Sequence, residues 1–205
     1  MHISEGVLSP MVLVSGVALT ALGTSIGLKK MDYDRIPQVA ILSAAFFVAS
    51  LVHIPIGPAS IHLILNGLLG LFLGWVTFPA VLVGLILQAM LFQYGGITTL
   101  GINCLNMALP AIICFLLFRP GIKSSNNTIV TLSSFLCGFA AVLLGSVMLA
   151  LSLFFTGEQF MEVAKLLVIA NLPVMVIEGV ITIFCVRFLK NVKPEILEVV
   201  YEQKI

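Results

Sequence analysis

Seven stretches of this chain are almost wholly apolar and nearly free of charge: residues 8–28, 36–53, 60–78, 79–94, 100–118, 128–155 and 164–190. A helix needs roughly 20 such residues to cross the ~30 Å hydrocarbon core of a bilayer. Of the 205 residues, 60% are apolar and 9% charged, where a soluble domain carries about 25% charge. One globular core cannot absorb that excess, which in water would form an aggregation patch. A soluble enzyme and a disordered chain are both excluded, and the bilayer is the solvent. The formal net charge of +1 lacks the basic footprint of a nucleic-acid binder. The expected fold is an all-α integral membrane protein, a single multi-pass domain over 1–205 with about seven transmembrane helices.

The breaks between the runs carry the orientation. Lys29 and Lys30 end the first run, the IPIGP stretch at 54–58 ends the second, and Arg119-Pro120-Gly121 ends the fifth. In a seven-span alternation Lys29, Lys30, Arg35, Arg119, Lys123, Arg187, Lys190, Lys193 and Lys204 share one side, and Lys165 falls on the other beside Glu158 and Glu162. Loop Lys and Arg favour the cytoplasm. This places the N-terminus outside, the bundle over 8–190, and a cytoplasmic tail at 191–205. Residues 1–6 (MHISEG) have neither a basic n-region nor a small-residue cleavage site, so the first span is expected to be permanent.

On that topology the three histidines, His2, His53 and His62, all lie on the outer side. A histidine at position 2 offers the Met1 amine, its own amide nitrogen and its own ring nitrogen as three corners of a square. Removing the amide proton suits Ni²⁺, Cu²⁺ and Co²⁺ and suits Zn²⁺ or Mg²⁺ poorly. The initiator methionine is expected to survive, because a bulky second residue blocks the usual aminopeptidase. His62 and His53 are the candidates for the fourth corner. Glu5 is expected to hydrogen-bond the folded N-terminal segment, since a four-nitrogen square leaves it no corner.

Other polar residues invite a role because polar groups within a membrane are costly. Asn66 lies four residues after His62, on the same face if both are helical, where it would hold the imidazole tautomer or bond another helix. Gln93, Thr98, Thr99 and Asn103 flank Gly95-Gly96 in an outer loop suited to covering the site or simply to turning. Glu178 falls mid-span and reads as a gate or as an anchor to another helix. Gly16, Thr20 and Thr24, and the pair Gly70 and Gly74, mark close helix contacts, with a partner or within the chain. Cys104, Cys114, Cys137 and Cys185 have no CxxC spacing and read as buried free thiols.

MHISEG, HIPIGPASIHLILNGLLG (53–70), LFQYGGITTLGINCLNMALP (91–110), NLPVMVIEG (171–179) and FLKNVKPEIL (188–197) together resemble the CbiM/NikM family. These are the substrate-binding membrane subunits of cobalt and nickel energy-coupling-factor transporters. The resemblance covers nearly the whole chain. It implies a seven-helix protein whose N-terminal segment, residues 1–7, folds back and holds one Ni²⁺ or Co²⁺ in four nitrogens: the Met1 amine, the His2 amide, the His2 ring and the His62 ring. Many members read Ser-His-Pro-Thr here, whereas this chain reads Ser60-Ile61-His62-Leu63. His53 then falls beside the ligands or in a structural role. The resemblance also implies partners: a transmembrane coupling subunit, cytoplasmic ATPase subunits and a small accessory membrane protein. It implies capture at the outer face of a prokaryotic inner (plasma) membrane for ATP-driven uptake, feeding cobalamin biosynthesis or nickel enzymes. No GxxxxGK[ST] or HExxH occurs, so the chain is expected to be no enzyme and to take its energy from partners. A stand-alone divalent-metal channel or secondary transporter is the alternative, and would show charges along several spans or an inverted repeat.

Overall fold

The computed structural model describes residues 2–197, apart from the side chain of His53. It opens with a two-residue strand, β1 (His2–Ile3), and then α1 (Pro10–Lys29). Pro10 sits where its missing N–H costs the helix nothing, and the lysine pair ends it. After a short 3-10 turn comes α2 (Ile36–Ala49), whose 14 residues span about 21 Å.

The bundle is helical as expected, but the end of the second run and the start of the third are not. β2 (His53–Ile56) and β3 (Ala59–His62) form an antiparallel hairpin, and β1 pairs with the other edge of β3 to give the sheet order β1-β3-β2. Pro55 and Pro58 cannot donate to a helix, Gly57 supplies the turn, and the isoleucines on either side suit a strand. The third expected span therefore begins at Asn66 rather than Ser60. α3 (Asn66–Leu73) is followed by a 3-10 turn at Gly74–Val76 and by α4 (Thr77–Phe92). In a continuous helix, residues 69 and 77 would stand about 12 Å apart. Here the Thr77 hydroxyl donates to the Leu69 carbonyl at 3.2 Å, so the chain doubles back at Gly74, whose φ of +53° glycine accepts without strain.

Next come α5 (Leu100–Ile122), which carries Pro110 and Pro120 within it and runs past the expected end at Phe118, and α6 (Asn127–Phe154). The Asn126 side chain caps α6 by accepting from Thr128 N–H at 2.9 Å. The seventh expected span is two helices, α7 (Met161–Ala170) and α8 (Leu172–Val192), broken at Asn171 and restarted with Pro173 in the first turn. Among the described residues five segments are long and apolar enough to cross a membrane: Pro10–Lys29, Asn66–Phe92, Leu100–Ile122, Asn127–Phe154 and Glu158–Val192. α2 and α3, which belong to the seven expected spans, fall short of that length.

The burial pattern is that of a membrane protein. Met11, Leu22, Leu117, Phe184 and Phe188 stand exposed on the outside, while Asn66, Gln88, Asn103, Asn106 and Glu178 are buried within, as apolar solvent requires. The small-residue stripe of α1 meets this chain itself: a Cβ at Gly16 would collide with Ile102, and the Thr20 hydroxyl donates to the Gly101 carbonyl at 2.6 Å. All four cysteines are free thiols, three of them buried. Ile196 and Leu197 pack on a core cluster with Val130 and Val186; the rest of the expected tail, 198–205, lies outside the described residues.

Candidate metal centre

The N-terminal segment reaches the interior as a strand. His2 pairs with Ser60 and Ile3 with Ala59, and Ser4 N–H donates to the Pro58 carbonyl at 3.0 Å. The free edge of β1 would leave main-chain groups unpaired in an apolar interior, which is costly. Asn103 on α5 closes it. Its Oδ1 accepts from Ile3 N–H at 2.9 Å and its Nδ2 donates to the Ile3 carbonyl at 3.1 Å, so one side-chain amide does the work of a further strand. Beyond the strand, Glu5 N–H donates to the Gly95 carbonyl at 3.0 Å, and Glu5 Oε1 accepts from Thr98 N–H at 2.9 Å and from the Thr98 hydroxyl at 3.2 Å. The Thr98 N–H holds the exposed Glu5 carboxyl below its ordinary pKa. Gly96, at φ +124°, leaves no room for a Cβ against the Glu5 side chain.

This latch sets His2 against His62. Both are buried, at 3% and 2% exposure, and their rings stack with centroids 4.6 Å apart. His2 Nδ1 and His62 Nε2 lie 2.9 Å from each other. The Tyr94 ring stands tilted beside His2, 6.1 Å between centroids.

The surroundings assign both tautomers. Ser50 Oγ is 2.7 Å from the Phe47 carbonyl, which can only accept, so the hydroxyl proton goes there. Ser50 Oγ then accepts from Gln88 Nε2 at 2.6 Å. Gln88 therefore turns its oxygen to His2 Nε2, 2.7 Å away, and His2 Nε2 carries the proton. His62 Nδ1 lies 2.7 Å from the Leu63 carbonyl and carries its own. In the neutral rings this leaves two lone pairs, on His2 Nδ1 and His62 Nε2, aimed at each other. They repel unless a cation lies between them, either a proton or a metal ion. Metal–imidazole bonds of about 2.0 Å put adjacent corners of a square about 2.8 Å apart, close to the separation seen here.

Residues 2–196 match the profile of a protein family described as the cobalt uptake substrate-specific transmembrane region, CbiM. The chain belongs to the CbiM family. It is 38% identical over 202 residues to a protein of Haemophilus influenzae named for metal transport, covering 96% of this chain and 97% of that one. Over 114 residues it is 39% identical to the fused nickel transport protein NikMN of Rhodobacter capsulatus, 53% of this chain and 33% of that protein. Its fold superposes on the crystal structure of a transition metal transporter with a TM-score of 0.77 at 29% identity, covering 94% and 93% of the two chains.

In this CbiM chain the residues singled out by sequence are sorted by the fold. His2, His62, Asn103 and Glu5 come together. Met1 lies outside the described residues, as does the His53 side chain, although the His53 backbone pairs with that of His62. Asn66 does not share a helix face with His62, because His62 is on a strand and Leu65 turns the chain with φ +54°. Its Nδ2 instead donates to the Met107 and Ala141 carbonyls at 3.3 and 3.2 Å, tying α3 to α5 and α6. Gln93 does not line the site either. It ends α4 in the left-handed conformation, φ +57°, with its side chain exposed. Glu178 bonds a loop backbone rather than another helix, its Oε1 accepting from Ile64 and Leu65 N–H.

Gln88 and Ser50 also belong to the site and are not singled out by motif or spacing, although Gln88 is the single polar side chain in VLVGLILQAMLF (81–92), the kind of intramembrane polar residue that marks a site. Among the described residues no three His, Cys, Asp or Glu side chains gather where a metal could sit.

Proposed function

We propose that this chain is the substrate-capturing membrane subunit of an energy-coupling-factor importer for Ni²⁺ or Co²⁺. The ion is held by the Met1 amine, the His2 amide, His2 Nδ1 and His62 Nε2. The observation that carries this reading is the 2.9 Å approach of two buried imidazole nitrogens whose other nitrogens are both committed as donors. Membership of a family described by cobalt uptake and the likeness to a nickel transport protein favour a transition ion over a proton as the occupant. His2 Nδ1 is also the nitrogen that closes a six-membered ring with the His2 amide, so the tautomer that Gln88 enforces is the chelating one.

A four-donor square has no vacant position for a substrate to react at, which fits a carrier rather than a catalyst. The chain has no nucleotide-binding motif, so ATP hydrolysis belongs to cytoplasmic ATPase subunits acting through a transmembrane coupling subunit, with a small accessory membrane protein alongside. The N-terminus and the sheet face the outside of a prokaryotic inner membrane, and the basic loops face the cytoplasm. Metal is captured outside and released inside after reorientation of this subunit.

The deciding experiment uses protein purified with its native start confirmed by mass. Metal analysis should find one Ni²⁺ or Co²⁺ per chain, and the Ni²⁺ complex should be yellow and diamagnetic, as planar nitrogen coordination requires. Two residues added before Met1 should abolish binding without unfolding the bundle, because amine and amide leave their chelating positions. Retained affinity in the extended protein, or a paramagnetic Ni²⁺ complex, overturns the chelate. Metal uptake by cells with and without the ATPase partners separates the importer from a self-sufficient transporter.

A further inference from the structure

Glu178 is the one fully buried carboxylate among the described residues, and its surroundings give it a use. Its Oε1 accepts from Ile64 N–H at 2.6 Å and from Leu65 N–H at 2.7 Å. The Ile64 N–H belongs to the same peptide plane as the Leu63 carbonyl, and that carbonyl takes the proton of His62 Nδ1 at 2.7 Å. A single peptide unit therefore has the imidazole on its oxygen and the carboxylate on its nitrogen. The next residue, Leu65, holds φ +54°, a conformation that leucine rarely adopts and that the second Glu178 hydrogen bond holds in place.

The base of this arm is fixed. The Thr182 hydroxyl donates to the Glu178 carbonyl at 2.7 Å, and a Cβ at Gly138 would strike that carbonyl, so α6 and α8 are in close contact at this turn. Histidines that bind metals usually donate their second N–H to a carboxylate or carbonyl, which fixes tautomer and orientation. Here both kinds of group occur in series. An oxygen acceptor on the N–H side polarises the peptide and makes its carbonyl a stronger acceptor for the imidazole proton, which keeps the lone pair of His62 on Nε2.

We propose that Glu178 is a positioning residue for His62, acting through the Leu63–Ile64 peptide plane to hold the ring with Nε2 unprotonated and turned to His2. The proposal rests on the reading of His62 as a metal ligand. Glu178 Oε2 has no hydrogen-bond partner among the described residues, so exchanging that oxygen for an amide breaks no bond. This separates the acceptor from the charge: Glu178→Gln keeps Oε1, and Glu178→Leu removes it.

The test uses the full chain in detergent, with Ni²⁺ as the probe. Nickel affinity and the absorption of planar Ni²⁺ are read, together with the ¹⁵N shifts of the His62 ring in metal-free protein. Glu178→Leu should weaken Ni²⁺ binding by about 10–100-fold, the usual loss when the partner of a ligating histidine is removed, and should move the ring nitrogens toward a tautomer mixture. Glu178→Gln should restore affinity, absorption and ring shifts to near wild type. Unchanged affinity and tautomer in a folded Glu178→Leu protein overturn the proposal. So does a folded Glu178→Gln protein that loses the planar absorption, and this second variant decides the matter if the leucine variant does not fold. Failure of the wild-type chain to bind Ni²⁺ defeats the metal reading instead, and the metal-free ring shifts still judge the relay.

Discussion

The two facing imidazoles present opposite nitrogens to each other but are held by different kinds of group. His2 is set by side chains from two helices, Gln88 of α4 backed by Ser50 at the end of α2, on a strand whose outer edge is closed by Asn103 of α5. His62 is set by main chain, the Leu63 carbonyl beside it, with one side chain acting at a distance. A backbone carbonyl cannot be deleted by substitution, whereas the side chains that orient the His2 ring, Gln88 and Ser50, can. The N-terminal half of the site is therefore the mutable half, and the hairpin half is the fixed frame it docks against.

The largest effect expected is at the frame itself. His62→Ala removes a donor outright and should cost more than the ~100-fold upper range for loss of a ligand's supporting partner, while His53→Ala should cost far less. An equal loss at both would mean that the fourth donor is misassigned. On the mutable half, Gln88→Leu strands a buried N–H on His2 and frees its tautomer, and Ni²⁺ titration should show a loss of about 10–100-fold. Ser50→Ala should lose less, because it only lets the Gln88 amide rotate; if it matched Gln88→Leu, the order of the chain would be wrong. Asn103→Ala leaves the Ile3 N–H and carbonyl unpaired, each costing about 1–3 kcal/mol, and should lower the thermal midpoint in detergent.

The smallest effect is at Glu5. Its carboxyl pKa is lowered from 4.5, chiefly by the Thr98 N–H. The contact is thus complete above the unfolded value and is lost as pH falls through the lower folded one. Amide exchange at Thr98 should show protection that persists from neutral pH through the ordinary carboxylate range and fades only in more acid solution, and Glu5→Gln should remove this pH dependence.

Much of the bundle could be read along the chain. The runs that became α1, α5 and α6 match the expected spans within a few residues, because long apolar stretches bounded by charge admit few other structures. The run at 60–78 misled, because short Ile- and Leu-rich stretches fit a strand as well as a helix and the prolines before it act through pairing that a local reading does not see. The places of Asn66 and Gln93 depend on left-handed backbone at Leu65 and Gln93, which spacing along the chain does not reveal. His2 and His62 stood out because few residue types coordinate a transition ion. Gln88 did not, since 86 positions separate it from His2.

The amino-acid order alone fixes the solvent of this protein, its largest helices and the donor chemistry available at its start, because these depend on local composition and on the covalent neighbourhood of residue 2. The tertiary structure decides which imidazole nitrogens carry the protons. That choice rests on hydrogen-bond partners brought in from α2, α4 and the chain before α3, and a proton on a ring goes wherever an acceptor in space requires it.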